Sequence, residues 1–378
     1  MERTEIEPVA SDPDKNADEP ERRRVNGPIG SLQVAVRRMQ AAGIEAFGGE
    51  VRLLELAEPG LPGPDELVIS VRAAGIGNWD EIVRMGGWDV GRKPPLALGV
   101  EAAGVVVAAG EAVASFTVGD EVLTHPVPLR HQGTWAQLLV APAALVALKP
   151  LAVPWETAAA FPVPALTADR ALTEVAPSPA GKWLLVNGAS GVTGGLMVQL
   201  AVNRGATVVA TAGPSSESRV RDYGARVVFD YHDPNWPARV RDASPGKRGV
   251  DAAINAARSG AVSALKAVAD NGRLTTITGD PPPAERGINV ADVYVAADGP
   301  RLAALAGALE AGLLSLDVAA AFGLSDAATA LRGAVTGRAA GATVLTPDGA
   351  PISDSELARV SAPRAFGLRR SPMGVPDA

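Results

Sequence analysis

Cysteine is absent from all 378 residues. That excludes disulfides, thiolate catalysis and any zinc site built on cysteine. Histidine is nearly as scarce. His125, His131 and His232 are the three present, without a regular metal-binding spacing, and each is read as a surface or loop residue rather than a ligand. No metal site is expected. Aromatic residues make up 4% of a chain that is 47% hydrophobic, so its core has to be built from Ala, Val and Leu. No run reaches the ~20 apolar residues of a membrane span. Residues 1–30 are charged throughout and lack the apolar middle of a signal peptide. The net charge of −7 argues against nucleic acid or an anionic membrane as partner. The expectation is a soluble, cytoplasmic protein long enough for two separate cores.

Glycine is plentiful, and its placement is informative. The run Val186-Asn187-Gly188-Ala189-Ser190-Gly191-Val192-Thr193-Gly194-Gly195 follows the apolar stretch Trp183–Val186 and precedes the helical pattern Leu196–Ala201. A strand, a glycine turn and a helix start are predicted. Small residues there let the backbone approach a pyrophosphate, which the free N–H groups of the helix start attract. Ala189-x-Gly191-x-x-Gly194 has the dinucleotide spacing, with Ala in the first place. Ala189, Ser190, Gly191, Val192, Thr193 and Gly194 are therefore the candidate phosphate residues.

A second strand follows, Ala206–Thr211. An NAD site carries Asp or Glu at this strand's end, for the ribose 2′-hydroxyl. Ala212 stands there instead, followed by Ser215, Ser216 and Arg219. Hydroxyls and a planar cationic fork suit a phosphate, so NADPH is the expected cofactor. Further strands are read at Arg226–Asp230, Val250–Asn255 and Gly272–Gly279, with a helix over Gly260–Val268 between the last two. Strands alternating with helices predict a doubly wound parallel sheet. Ligands of such sheets bind beyond the carboxyl ends of the strands, which places Asn255, Thr278 and Gly279 near the nicotinamide.

Residues 1–30 read as a disordered tail. Residues 31–150 carry many short apolar runs broken by Gly and Pro, as in a partly closed β-domain. The α/β region runs over 151–310. Elements at 311–346, including a helix over Ser325–Val335, look like a return to the first domain, and 347–378 reads as a C-terminal tail.

Several motifs in order now carry a resemblance. They are Pro59–Val71, Ala74-Gly75-Ile76-Gly77-Asn78-Trp79-Asp80, Pro95–Val106, Val118–Val122, Gly133–Gln137 and Pro164–Ala168. Over about residues 31–346 the chain resembles the medium-chain dehydrogenase/reductase superfamily, in its zinc-free quinone oxidoreductase branch. The resemblance implies a GroES-like β-rich catalytic domain joined to a Rossmann nucleotide-binding domain. In the zinc alcohol dehydrogenases of this superfamily a Cys and a His bind the catalytic metal. Their places here are Gly77 and Val100, which cannot ligate, and a four-cysteine structural loop is missing. The turn also departs from the branch, with Val192 and Thr193 where it usually has a further Gly and a Val.

A quinone or activated enone accepts hydride without a Lewis acid, because the product anion is delocalised. The protein must chiefly hold the nicotinamide near the acceptor and exclude water. Asn78, Trp79 and Trp88 are the expected substrate wall. Asp80 is read as a loop anchor, Thr167 as a residue opening a hinge helix near the nicotinamide, and Tyr294 as within reach of a ligand. The expected activity is NADPH-dependent reduction of a small-molecule quinone or enone. An enoyl reductase and a cofactor-binding protein with little catalysis remain as alternatives. The resemblance further implies a homodimer formed by pairing edge strands, with Gly287–Val295 as the edge.

Overall fold

The computed structural model describes residues 37–337 and 340–347. The expected tail at 1–30, and all but Pro347 of that at 347–378, lie outside the described residues. The first half is strand-rich: β1 (Arg38–Ile44), β2 (Arg52–Ala57), β3 (Glu66–Ile76), the short helix α1 (Asn78–Arg84), β4 (Leu96–Ala97), β5 (Ala102–Ala109), β6 (Glu121–Thr124), β7 (Leu138–Pro142) and β8 (Val146–Leu148). Helices α2 (Trp155–Ala159) and α3 (Pro162–Val175) lead out of it.

Strands and helices then alternate: β9 (Trp183–Asn187), α4 (Val192–Asn203), β10 (Thr207–Ala212), α5 (Glu217–Asp222), β11 (Val227–Asp230), α6 (Trp236–Ala243), β12 (Val250–Asn255), α7 (Ala261–Ala267), β13 (Val268–Thr276), β14 (Asn289–Asp292) and α8 (Gly299–Glu310). The chain closes with β15 (Val318–Gly323), α9 (Ala327–Thr336) and β16 (Ala342–Thr346).

Three sheets result. The six-stranded one has the order β11-β10-β9-β12-β13-β14, parallel throughout. Its central strands read as unbroken apolar runs because helices cover both faces. Val186 packs into a cluster with α3 and α4, and Leu185 into one with α6 and α7 on the opposite face. The second sheet runs β15-β16-β3-β5-β6-β8, with β7 also on β3. Here β16 lies antiparallel to β3, Leu345 opposite Ala74, so the last strands join the sheet of the first half. The third sheet is β2-β1-β4. No helix among the described residues is long and apolar enough to cross a membrane.

Three boundaries differ from expectation. The strand read as Gly272–Gly279 is β13, ending at Thr276, because Gly279 turns the chain with φ +71°. The expected edge Gly287–Val295 is strand only over Asn289–Asp292. The helix read over Ser325–Val335 splits into a 3₁₀ turn, Leu324–Asp326, and α9.

Candidate active site

The glycine turn sits between β9 and α4. Gly188 has φ +88°, a left-handed value that glycine adopts without strain. Its N–H donates to Thr211 Oγ1 at 3.0 Å, and the Ala189 N–H to the Thr211 carbonyl at 3.0 Å. A Cβ at Gly194 would stand 2.2 Å from the Gly188 carbonyl oxygen, so the helix start and the turn touch backbone to backbone. No side chain caps α4. The N–H groups of Val192, Thr193 and Gly194 thus lack intrahelical acceptors and lie at the positive end of the helix. An uncapped helix start with an exposed Gly191 fits a diphosphate. Ala189 is fully buried and contributes shape.

At the end of β10 the structure corrects one expectation. Arg219 does not present a free fork: Nη1 donates to the Ala340 carbonyl at 2.8 Å and Nη2 to the Ser190 carbonyl at 2.9 Å. It braces the phosphate turn from behind. Arg219→Leu is therefore expected to raise KM for NADPH and NADH in similar proportion, measured by steady-state kinetics with each; a loss confined to NADPH would restore the phosphate role. Ser215 is exposed and Ser216 half-buried. Glu217 turns outward to Arg221. Asp230 lies in register with Ala212 on the neighbouring strand. It accepts from the His232 N–H at 3.0 Å and lies 2.6 Å from its Nδ1, contacts that hold the carboxyl below its usual range. The rings of Tyr231 and His232 stack at 4.1 Å beside Gly213. This aromatic wall was not foreseen.

Toward the other end of the sheet, the fully buried Asn255 donates from Nδ2 to Thr278 Oγ1 at 3.0 Å and to the Ala257 carbonyl at 3.0 Å. Gly279 follows directly, and the exposed Tyr294 has its hydroxyl 3.6 Å from where a Gly279 Cβ would be. Asn255, Thr278, Gly279 and Tyr294 thus stand together.

Two residues of the expected substrate wall, Asn78 and Trp79, lie on α1, and Trp88 lies in the irregular segment after it. Asn78 opens α1 and is exposed. The half-buried Trp79 folds its indole over Gly77, where a Cβ would meet Cε2 at 2.2 Å. Its indole N–H is buried without a partner among the described residues. Asp80 is an anchor: one carboxyl oxygen accepts from the Gly77 N–H at 2.8 Å, and burial pushes its pKa up to about 8. Glu101, fully buried, accepts from the Val163 N–H at 2.7 Å; burial, and then the Asp80 charge, raise it well above the usual range. Asp80 therefore holds its proton at neutral pH. Thr167 does not open a helix. It sits inside α3, its hydroxyl donating to the Val163 carbonyl at 2.6 Å.

His125, read as a surface or loop residue, lies in the irregular segment just after β6 but not at the surface. It is fully buried, and burial lowers its pKa to about 4. Neutral, it donates from Nδ1 to the Val100 carbonyl at 2.6 Å, beside the ring of Trp88 at 6.2 Å. Among the described residues no group of three or more His, Cys, Asp or Glu side chains is arranged to hold a metal. Sequence reasoning missed Asn187, Thr211, Glu101 and His125. For Asn187 the available signal was a polar residue ending an otherwise apolar strand.

A parallel sheet with an uncapped glycine turn, joined to a β-rich half, defines a dinucleotide-dependent oxidoreductase fold. Comparison with known proteins refines that class. Residues 63–151 match the alcohol dehydrogenase GroES-like domain and residues 223–345 the zinc-binding dehydrogenase family. The synaptic vesicle membrane protein VAT-1 homolog of Homo sapiens is 34% identical over 214 residues, 55% of this chain and 52% of that protein. A quinone oxidoreductase of Sus scrofa is 33% identical over 220 residues, 57% of this chain and 65% of that one. The crystal structure of an NAD-dependent alcohol dehydrogenase superposes with a TM-score of 0.74 at 29% identity, covering 82% of this chain and 99% of that chain. The chain spans about half the length of the VAT-1 relative it matches. It belongs to the medium-chain dehydrogenase/reductase superfamily, in the quinone oxidoreductase branch.

Proposed function

We propose that this protein transfers hydride from NADPH to a quinone or activated enone without zinc. The observation that carries the reading is Trp79 over Gly77. The place of a metal-binding side chain is filled by an indole, Val100 is apolar and buried, and the nearby carboxyl of Asp80 is protonated. An indole, a valine side chain and a protonated carboxyl offer a divalent cation no anionic ligand. NADPH, when bound, supplies the hydride from its nicotinamide. Val192, Thr193 and Gly194 hold the diphosphate through their N–H groups, and Ser190 and Gly191 shape its approach. The residues Asn255, Thr278 and Gly279 flank the nicotinamide, and Trp79, Trp88 and Asn78 wall the acceptor. The preference for NADPH rests on Ala212, which leaves the strand end without a carboxylate, and on the Ser215 and Ser216 hydroxyls. Paired through β14 at the edge of the six-stranded sheet, two copies form a homodimer, checked by size exclusion with light scattering.

The test is anaerobic decay of nicotinamide absorbance with a simple benzoquinone. Fast loss of NADPH with much slower loss of NADH is expected. No decay with either would overturn quinone reduction and favour a dedicated enoyl substrate. A metal chelator such as 1,10-phenanthroline is expected to leave the rate within about twofold, because no Lewis acid takes part; progressive inactivation would show that one does.

A further inference from the structure

One line of side-chain hydrogen bonds crosses the carboxyl ends of β10, β9, β12 and β13. The Gly188 N–H donates to Thr211 Oγ1 at 3.0 Å. The Thr211 hydroxyl donates to Asn187 Oδ1 at 2.6 Å. Asn187 Nδ2 donates to Asn255 Oδ1 at 2.7 Å, and Asn255 Nδ2 to Thr278 Oγ1 at 3.0 Å. The Thr278 hydroxyl donates to Asp280, whose other oxygen accepts from the Ser259 N–H at 3.0 Å.

From Gly188 to Asp280 each donor points the same way, and the Ser259 N–H meets the line at its far end. Thr211 has one proton and gives it to Asn187, so its oxygen is left to accept from the turn. The two amides are then fixed in orientation. The line ends on a carboxylate, which only accepts. Thr211, Asn187 and Asn255 are at most 3% exposed, where water cannot replace a lost partner. Backbone ladders already hold the strands together. What the side chains add is a tie between the loops beyond them, which a twisted sheet would splay apart. The turn is also seated directly on the next loop: a Gly188 Cβ would stand 2.9 Å from the Ala257 nitrogen.

We infer that Thr211, Asn187 and Asn255 are positioning residues that set the spacing between the diphosphate turn and the loops at 256–260 and 277–280. Hydride-transfer geometry then depends on side chains that need not touch the cofactor. The inference rests on the dinucleotide reading above and deepens it.

Thr211→Val keeps the shape of the residue and removes the hydroxyl, breaking the line at Asn187 and at the turn. Thr211→Ser keeps the hydroxyl. For the full-length protein, four quantities are measured: Kd for 2′,5′-ADP, which carries the adenosine half alone; kcat with benzoquinone; the primary isotope effect with 4-deuterated NADPH; and Tm. In Thr211→Val, 2′,5′-ADP affinity is expected within about twofold of the parent. The kcat is expected to fall tenfold to about a hundredfold, as small misplacements do, with a larger isotope effect. Thr211→Ser restores both. Unchanged kcat and isotope effect in folded Thr211→Val would overturn the inference, as would a loss of 2′,5′-ADP affinity equal to the loss of kcat, which would mean collapse of the turn. If Thr211→Val does not fold, Asn187→Ala breaks the same line at its next link, between Thr211 and Asn255, and the same outcomes decide. Parent protein that binds neither NADPH nor 2′,5′-ADP would bring down the dinucleotide reading and this role with it. Parent that binds both, with Thr211→Val indistinguishable from it, would bring down this role alone.

Discussion

Gly194→Ala is expected to weaken NADPH binding by roughly a hundredfold or more and to lower stability measurably. The added Cβ would stand 2.2 Å from the Gly188 carbonyl oxygen and 3.0 Å from Ala189 Cα, both backbone atoms. The turn cannot yield easily, since the Gly188 and Ala189 N–H groups are tied to Thr211. The first turn of α4 must therefore retreat, carrying the N–H groups of Val192, Thr193 and Gly194 off the diphosphate. Losing two hydrogen bonds to a charged group, at about 1.5–3 kcal/mol each, corresponds to more than a hundredfold in Kd. Gly191→Ala provides the contrast. Its nearest neighbour atom would be 3.7 Å away and its φ is −75°, so the fold is expected to be unaffected, with Tm within about 2 °C. Isothermal titration of both variants, with thermal melts, checks the pair. Equal behaviour at the two glycines would show that backbone contact is not what Gly194 provides.

Stability is expected to fall as pH rises from 6.5 to 8, through Asp80. Folded, its pKa is about 8; that of an exposed aspartic acid is 3.8. The group's stabilising contribution is full below about pH 4 and is lost as pH rises through 8, because the unfolded chain binds fewer protons over that window. His125 acts oppositely. Its pKa is lowered from 6.5 to about 4, so its contribution is complete only above about 6.5. From there upward it no longer opposes the carboxyl, and Asp80 alone removes about 2 kcal/mol by pH 8. Glu101, also raised, acts in the same direction. Asp80→Asn keeps an oxygen for the Gly77 N–H and cannot ionise, so its denaturant-unfolding free energy should be flatter over this range. Parallel curves for the two proteins would sink the assignment.

The parallel sheet was legible because local signals agree over it: apolar runs of strand length, glycine at their ends, helical spacing between. The turn was legible for the same reason, since Gly188 to Gly195 lie within one short run. What escaped reading depends on distant partners. Asn255 was placed near the nicotinamide, but its tie to Asn187 spans 68 residues. His125 lay among polar and proline residues that look like surface, and only the fold brings the Val100 carbonyl to it. Helix α1 was missed because the residue before it, Gly77, has no side chain to make a cap bond, and because it is only seven residues long. Arg219 was chosen for its charge and its place after β10. Which way a long side chain turns is decided by what is packed around it, here two carbonyls.

The pairing of β16 with β3 has a consequence for the chain as it is synthesised. Leu345 lies opposite Ala74, so the Ala74–Ile76 end of β3 waits for some 270 residues of later chain before β16 covers it, while Glu66–Ser70 pairs earlier with β7. The six-stranded sheet, contiguous from Trp183 to Asp292, has all its strands available sooner. The emerging chain thus completes its later-made sheet before its earlier-made one. Meanwhile the short open end of β3 at Ala74–Ile76 is exposed to pairing with neighbouring chains.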